Sequence, residues 1–208
     1  MNLAKLLQLA SPALPVGAYS YSGGFEAAVE AGVVLDAASA ERWIGDVLEF
    51  SMARMEAPMV YRMMTGLKDW NEVFLATRET AELRAESVQM GYSLNRLFKD
   101  LGLGEVPVEE PSFPAAFAYA AAQWKLEPEA ALQAYLWAWL ENQVMAAVKA
   151  IPLGQTDGQR ILLQLGDRIA GIAKSAMQMK DEDLGNFAPG LAMLSAKHET
   201  QYSRLFRS

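Results

Sequence analysis

Cysteine is absent from the 208 residues, which excludes disulfide frameworks, thiolate nucleophiles and sulfur ligands for a metal. Such an absence fits a reducing compartment. Histidine is almost as scarce. His198 is the only one, so a Ser-His-Asp triad would have to be built on that single imidazole. One imidazole without a thiolate supplies no dedicated zinc or nickel site either. Its plainest expectation is a cation at a helix C-terminus, favoured by the macrodipole. No Gly-x-x-x-x-Gly-Lys-Ser/Thr loop occurs and no Gly-x-Gly-x-x-Gly follows a strand-like run, so nothing cradles nucleotide phosphates. Long apolar runs are also missing. The most apolar window, Ala130 to Leu140, holds Gln133 and is followed by Glu141 and Asn142, too short to span a bilayer. The opening Met1–Ala10 stretch, with Gln8 inside it and Pro12 and Pro15 just beyond, is a poor signal-peptide core and reads as a first amphipathic helix. Lysine plus arginine number 18 against 25 acidic residues, a net charge of −7. That balance argues against a nucleic-acid or anionic-membrane binder.

What remains is overwhelmingly helical in pattern. From Glu41 to about Thr65 apolar residues recur at three and four (Ile44, Val47, Leu48, Met52, Met55, Met59), with Pro58 expected to end or kink the helix. The pattern continues from Asp69 to about Leu101 with an interruption expected near Gly91. Ser112 is placed to cap a helix through Phe117 and Trp124, and Pro128 to open the next. That helix carries Leu132, Leu136, Leu140, Val144 and Val148 and is expected to break over Gly154–Gly158. Ile161, Leu165, Ile169 and Ile172 begin another. Sustained alternation is missing, so the chain reads as one all-α, bundle-like domain of roughly eight to ten helices. Residues 187–208 form its last helix and a tail. Glu79, Glu82 and Glu86 lie at helical spacing among Arg78 and Arg84 and read as a solvated charged face rather than an acid/base pair.

The exception to helix is Ser11–Gly24, where Pro12, Pro15, Gly17, Gly23 and Gly24 alternate with serines and tyrosines. Its hydroxyls suit local backbone groups, and Leu14, Val16, Tyr19 and Tyr21 are too apolar to be left in water. An ordered loop is expected.

The stretch from His198 to Ser208 is dense in aromatic, basic and hydroxyl groups, and forms a basic patch on an acidic protein: Lys197, Arg204 and Arg207 face only Glu199. Tyr202, Leu205 and Phe206 are side chains that bury area, and the two arginines are forked donors for carboxylates or phosphates. Ordering about ten residues costs on the order of 1–2 kcal/mol each, while burying three large apolar side chains returns only about 1.5–3 kcal/mol each. Two readings stay open: the tail packs back on its own domain, or a partner surface orders it. In functional terms a docking component competes with a generic helical adaptor and with a small hydrolase using Ser20, Ser22 or Glu26 of the 11–26 loop.

Four blocks then carry a resemblance: Leu9 to Glu26 (LASPALPVGAYSYSGGFE), Thr77 to Arg84 (TRETAELR), Lys149 to Arg160 (KAIPLGQTDGQR) and His198 to Ser208 (HETQYSRLFRS). In this order and spacing the chain resembles the urease accessory protein UreF family from end to end. Departures are local: Pro12 stands where an acidic residue is common, and Tyr21 and Phe25 where other aromatic, His or Leu side chains are. The resemblance implies an all-helical, homodimeric cytoplasmic chaperone for nickel insertion into apo-urease, with no cofactor and no catalytic or metal-binding residue of its own. Its implied partners are UreD (also called UreH), the GTPase UreG, which this chain would recruit and regulate, and the urease apoprotein. For UreD it points to Tyr19, Tyr21 and Ser22 of the loop and to Tyr202, Ser203, Arg204, Leu205, Phe206 and Arg207 of the tail. For UreG it points to Glu26, Lys149, Gln155 and Gln159.

Overall fold

The computed structural model describes residues 2–208, and among them it has ten α-helices and no strand. They are α1 (Leu3–Ala10), α2 (Phe25–Glu30), α3 (Ala37–Val47), α4 (Ala57–Met63), α5 (Leu67–Ala76), α6 (Ala81–Asp100), α7 (Phe113–Gln123), α8 (Pro128–Ala150), α9 (Gln155–Gln178) and α10 (Pro189–His198). The all-α expectation holds. Helix ends follow local chemistry. Ser112 Oγ accepts the Ala115 amide at 3.2 Å, Thr80 Oγ1 that of Leu83 at 3.1 Å, and Pro128 opens α8.

Helix α8 is the axis of the molecule. It is apolar around most of its circumference, burying Leu132, Tyr135, Leu136, Leu140, Val144 and Ala147, and a helix of that kind must be surrounded. Helices α1, α2, α3, α4, α7 and α9 all pack against it. The outer helix α9 is one-sided instead, with Ile161, Leu165, Ile169, Ala173 and Ala176 buried at three- and four-residue steps.

Three expectations need correction. Pro58 neither ends nor sharply breaks its helix: α3 runs through nine residues of π-helix (Leu48–Glu56) into α4. A proline lacks the N–H that would bond Arg54 O. That carbonyl instead accepts the Gly185 amide at 3.3 Å, and Phe50 O accepts the Phe187 amide at 3.0 Å. The segment after α9 is thereby strapped across the widened turns. Gly91 does not interrupt α6. A Cβ there would meet Pro111 O at 2.0 Å, so the glycine is the crossing point of two backbones, and the real break is at Thr77–Thr80. Finally, α8 ends at Ala150, and Gly158 lies inside α9, where it lets the helix close on Val148 and Val144.

Candidate functional site

The loop and the tail meet. Val16 and Tyr21 of the loop are buried, and Leu14 packs on the core, but Tyr19 is 76% exposed, against the expectation that it would be covered. Asn142 and Gln143 of α8 hold the loop by donating to Tyr21 O at 3.2 Å and Ser22 O at 3.0 Å. Gly24 takes a left-handed φ of 82° at the start of α2, and a Cβ there would meet Leu191 of α10 at 2.9 Å. Only glycine lets the two helices approach so closely.

That approach puts Glu26 under the tail. Its side chain is buried, and its two oxygens accept three donors and face His198. Oε1 takes the Leu205 amide at 2.7 Å and Gln201 Nε2 at 3.2 Å; Oε2 takes the Phe206 amide at 2.8 Å and pairs with His198 Nε2 at 3.3 Å. Backbone pairing continues along the loop, with the Arg207 amide on Ser20 O at 2.8 Å and the Ser22 amide on Ser208 O at 3.0 Å. The Ser22 hydroxyl also donates to Ser208 O and accepts the Glu26 amide at 3.2 Å.

His198 closes α10 as expected, but it is fully buried rather than a solvated terminal cation. Its Nδ1 lies 2.6 Å from Glu82 Oε2 while Nε2 faces Glu26. A neutral ring can donate to only one of these carboxylates and a protonated ring to both. Each nitrogen of the Arg204 guanidinium bonds within the chain: Nη1 on Glu82 at 2.7 Å, Nη2 on Glu199 O at 2.6 Å and Nε on Gln201 O at 2.9 Å. Lys149 donates to Leu205 O at 3.2 Å and stands 4.2 Å from the centre of the Phe206 ring, a cation–π contact.

The carboxylates of α6 therefore divide. Glu79 is exposed and carries Asn186, whereas Glu82 and Glu86 turn inward to the tail, correcting the solvated-face reading. Glu86 accepts the Ser208 hydroxyl, and burial pushes its carboxyl up to about 7. Beside it a cavity of about 260 Å³ runs between the loop, the π-helical turns, α6 and α8. At its polar end Glu56 accepts Arg78 Nη1 at 3.1 Å and the Tyr135 hydroxyl. Burial, with the Glu56 charge second, drives that phenol well above its usual range.

Of the residues singled out from sequence, the structure buries Tyr21, Ser22, Glu26 and Phe206 together and closes over this cluster with the exposed Lys149 and Arg204, which bond to the tail and to Glu82. Tyr19, Tyr202, Ser203, Leu205 and Arg207 remain on the surface around it. Glu26 is a correction, since its carboxylate faces the tail and is not displayed outward. Gln155 and Gln159 are exposed at the start of α9 and do not join the cluster. Glu82 and Glu86, read from sequence as a solvated face, and Gln201, not singled out there, are the members of the site that the sequence reading missed. The spacing of two glutamates across one turn of α6, opposite a tail with a histidine and two arginines, was the available signal. With the Ser22 hydrogen donated to a carbonyl and His198 between carboxylates, nothing here resembles an activated nucleophile. Among the described residues no three His, Asp or Glu side chains are grouped to hold a metal ion, and no helix is long and apolar enough to cross a membrane.

These features define a class of protein: all-helical, holding an aromatic and basic tail on carboxylates of α2 and α6, with several tail side chains left outward. Comparison with known proteins narrows the class. The UreF family profile matches residues 34–166. A protein of Azoarcus sp. (strain BH72) named urease accessory protein UreF is 56% identical over 225 residues, covering 100% of this chain and 96% of that protein. Those of the same name from Dechloromonas aromatica (strain RCB) and Janthinobacterium sp. (strain Marseille) are 52% and 49% identical, covering 100% and 99% of this chain and 98% of each relative. The chain belongs to the UreF family, a family of accessory proteins and not of enzymes.

Proposed function

We propose that this chain is a urease maturation subunit that serves nickel insertion into apo-urease by holding partners together. It binds UreD (UreH) through the tail and the Pro15–Ser22 loop, recruits and regulates the GTPase UreG, and works in the cytoplasm as a homodimer on the urease apoprotein. Nickel is the cargo of this assembly. The observation that carries the reading is the outward set of Tyr19, Tyr202, Leu205 and Arg207 around an internally held tail, because large exposed apolar and arginine side chains side by side are the anchors of protein interfaces. The names of the relatives at 49–56% identity supply the process. For UreG the supporting surface is the exposed start of α9, with Gln155 and Gln159, next to Lys149 at the end of α8.

Deletion of residues 199–208 tests the reading. Far-UV circular dichroism is expected to keep its helical signal, while capture of purified UreD in a pull-down is lost. Undiminished capture by the shortened chain would sink the tail assignment.

A further inference from the structure

One buried carboxylate holds the tail by its backbone. Glu26 grips two consecutive backbone amides, Leu205 at 2.7 Å and Phe206 at 2.8 Å, one on each oxygen. The chain bends at this pair, and the two gripped residues send their side chains different ways. Phe206 is inside at 5% exposure under Lys149, and Leu205 is outside at 55% with Tyr202 fully exposed. A slip of one residue would bring Leu205 or Arg207 to the seat of Phe206. Backbone amides are alike along the chain, and the grip alone would accept any pair. The pair is selected by the Phe206 ring against Lys149 and by the Arg204 guanidinium on Glu82.

We propose that Glu26 is a positioning residue for partner capture: it locks the tail in the register that leaves both Leu205 and Tyr202 outward, with the exposed Arg207. The partner that this surface fits has an apolar recess with a carboxylate at its edge. The inference rests on the docking role of the tail proposed above. Glu26 suits the task because it is fixed itself. Its amide is bonded to Ser22 Oγ, its helix is pressed on α10 at Gly24, and its carboxylate oxygens bond Leu205, Phe206 and Gln201 and face His198, all within the chain. Bonds to an ionised acceptor are roughly twice as strong as neutral ones.

The test is Glu26→Gln in the full chain. The amide has nearly the same shape, yet it turns one acceptor into a donor that must face a tail N–H or a donor of Gln201 or His198. Expected are unchanged helicity, faster hydrogen exchange confined to residues 201–208, and UreD affinity lower by about tenfold or more. Affinity within twofold of wild type, with tail exchange accelerated, overturns the proposal. The deletion of 199–208 separates the two readings. If the deletion keeps capture, the docking role itself fails; if the deletion loses capture and Glu26→Gln keeps it, only the positioning role fails. Should Glu26→Gln not fold, Leu205→Ala and Phe206→Ala decide. The register requires Phe206→Ala to loosen the tail and Leu205→Ala to weaken UreD binding with the tail still protected. The reverse pattern overturns it.

Discussion

Glu86 shows how much one side chain under the tail reports. Burial outweighs the other influences on it: the Ser208 hydroxyl and Arg78 favour the charged form, Glu56 and Glu82 oppose it, and the carboxyl ends near 7 instead of 4.5. A raised carboxyl binds its proton more tightly folded than unfolded, so its contribution to stability is whole below pH 4.5, falls as pH climbs, and is gone above about 7. Glu86→Gln removes the titration and keeps an acceptor for Ser208. The wild-type melting temperature minus that of the variant is therefore expected to fall between pH 4.5 and about 7 and then level off, as read by calorimetry across that range. A difference that stayed constant over those pH values would show that Glu86 is solvated. Gln201 teaches a related lesson. Its sequence position gives no sign that its amide bridges Glu26 and Ser203 O at 2.8 Å, because a glutamine serves a solvent face equally well.

Among the elements, α6 and α7 depend on one crossing. The α6 backbone at Gly91 lies so close to the Pro111–Ser112 strand of chain that any Cβ would strike backbone atoms, at 2.0 Å from Pro111 O and 2.6 Å from the Ser112 carbonyl carbon. Ser112 is also the cap of α7 and accepts Ala115 N–H. Gly91→Ala is expected to cost about 3 kcal/mol, the upper end for overpacking, since backbone yields less readily than a side chain. Urea denaturation should show a lower midpoint with an unchanged slope; an unaltered midpoint would mean the crossing is loose. This element also marks where sequence reading stops. The helix around Gly91 was legible from Leu83, Met90, Leu94 and Phe98 at helical spacing, and the caps at Ser112 and Pro128 were legible from their hydroxyl and ring. The glycine read as a break because a missing side chain looks the same in sequence whether the backbone turns or is crossed. Pro58 misled for the converse reason. Its orphaned acceptor, Arg54 O, is served by Gly185, more than a hundred residues away, and no local pattern announces such a partner.

In the whole molecule, the core and the tail are held by different forces. The core is continuous around α8, where Leu132, Leu136 and Leu140 are fully buried, and helices from almost the entire chain contribute to it. The tail adds little apolar burial of its own, since Phe206 alone is inside while Tyr202 and Leu205 are out. Its grip is polar instead, through Glu26, Glu82 and Glu86, all on α2 and α6. The sequence made the tail's composition legible and left open whether it folds on its own body or only on a partner. The deciding groups, three carboxylates from helices far apart in the chain, converge only once the fold exists. This division makes the tail a low-stability unit on a stable body. Removing residues 199–208 uncovers carboxylates that regain water, and forfeits one large ring worth about 1.5–3 kcal/mol. Native-state hydrogen exchange is accordingly expected to show amides 201–208 opening at a free energy several kcal/mol below that of α8, and the shortened chain is expected to unfold cooperatively with a modestly lower midpoint. Tail and α8 amides exchanging with equal protection, or a shortened chain without a cooperative transition, would show that the tail is part of the folding core.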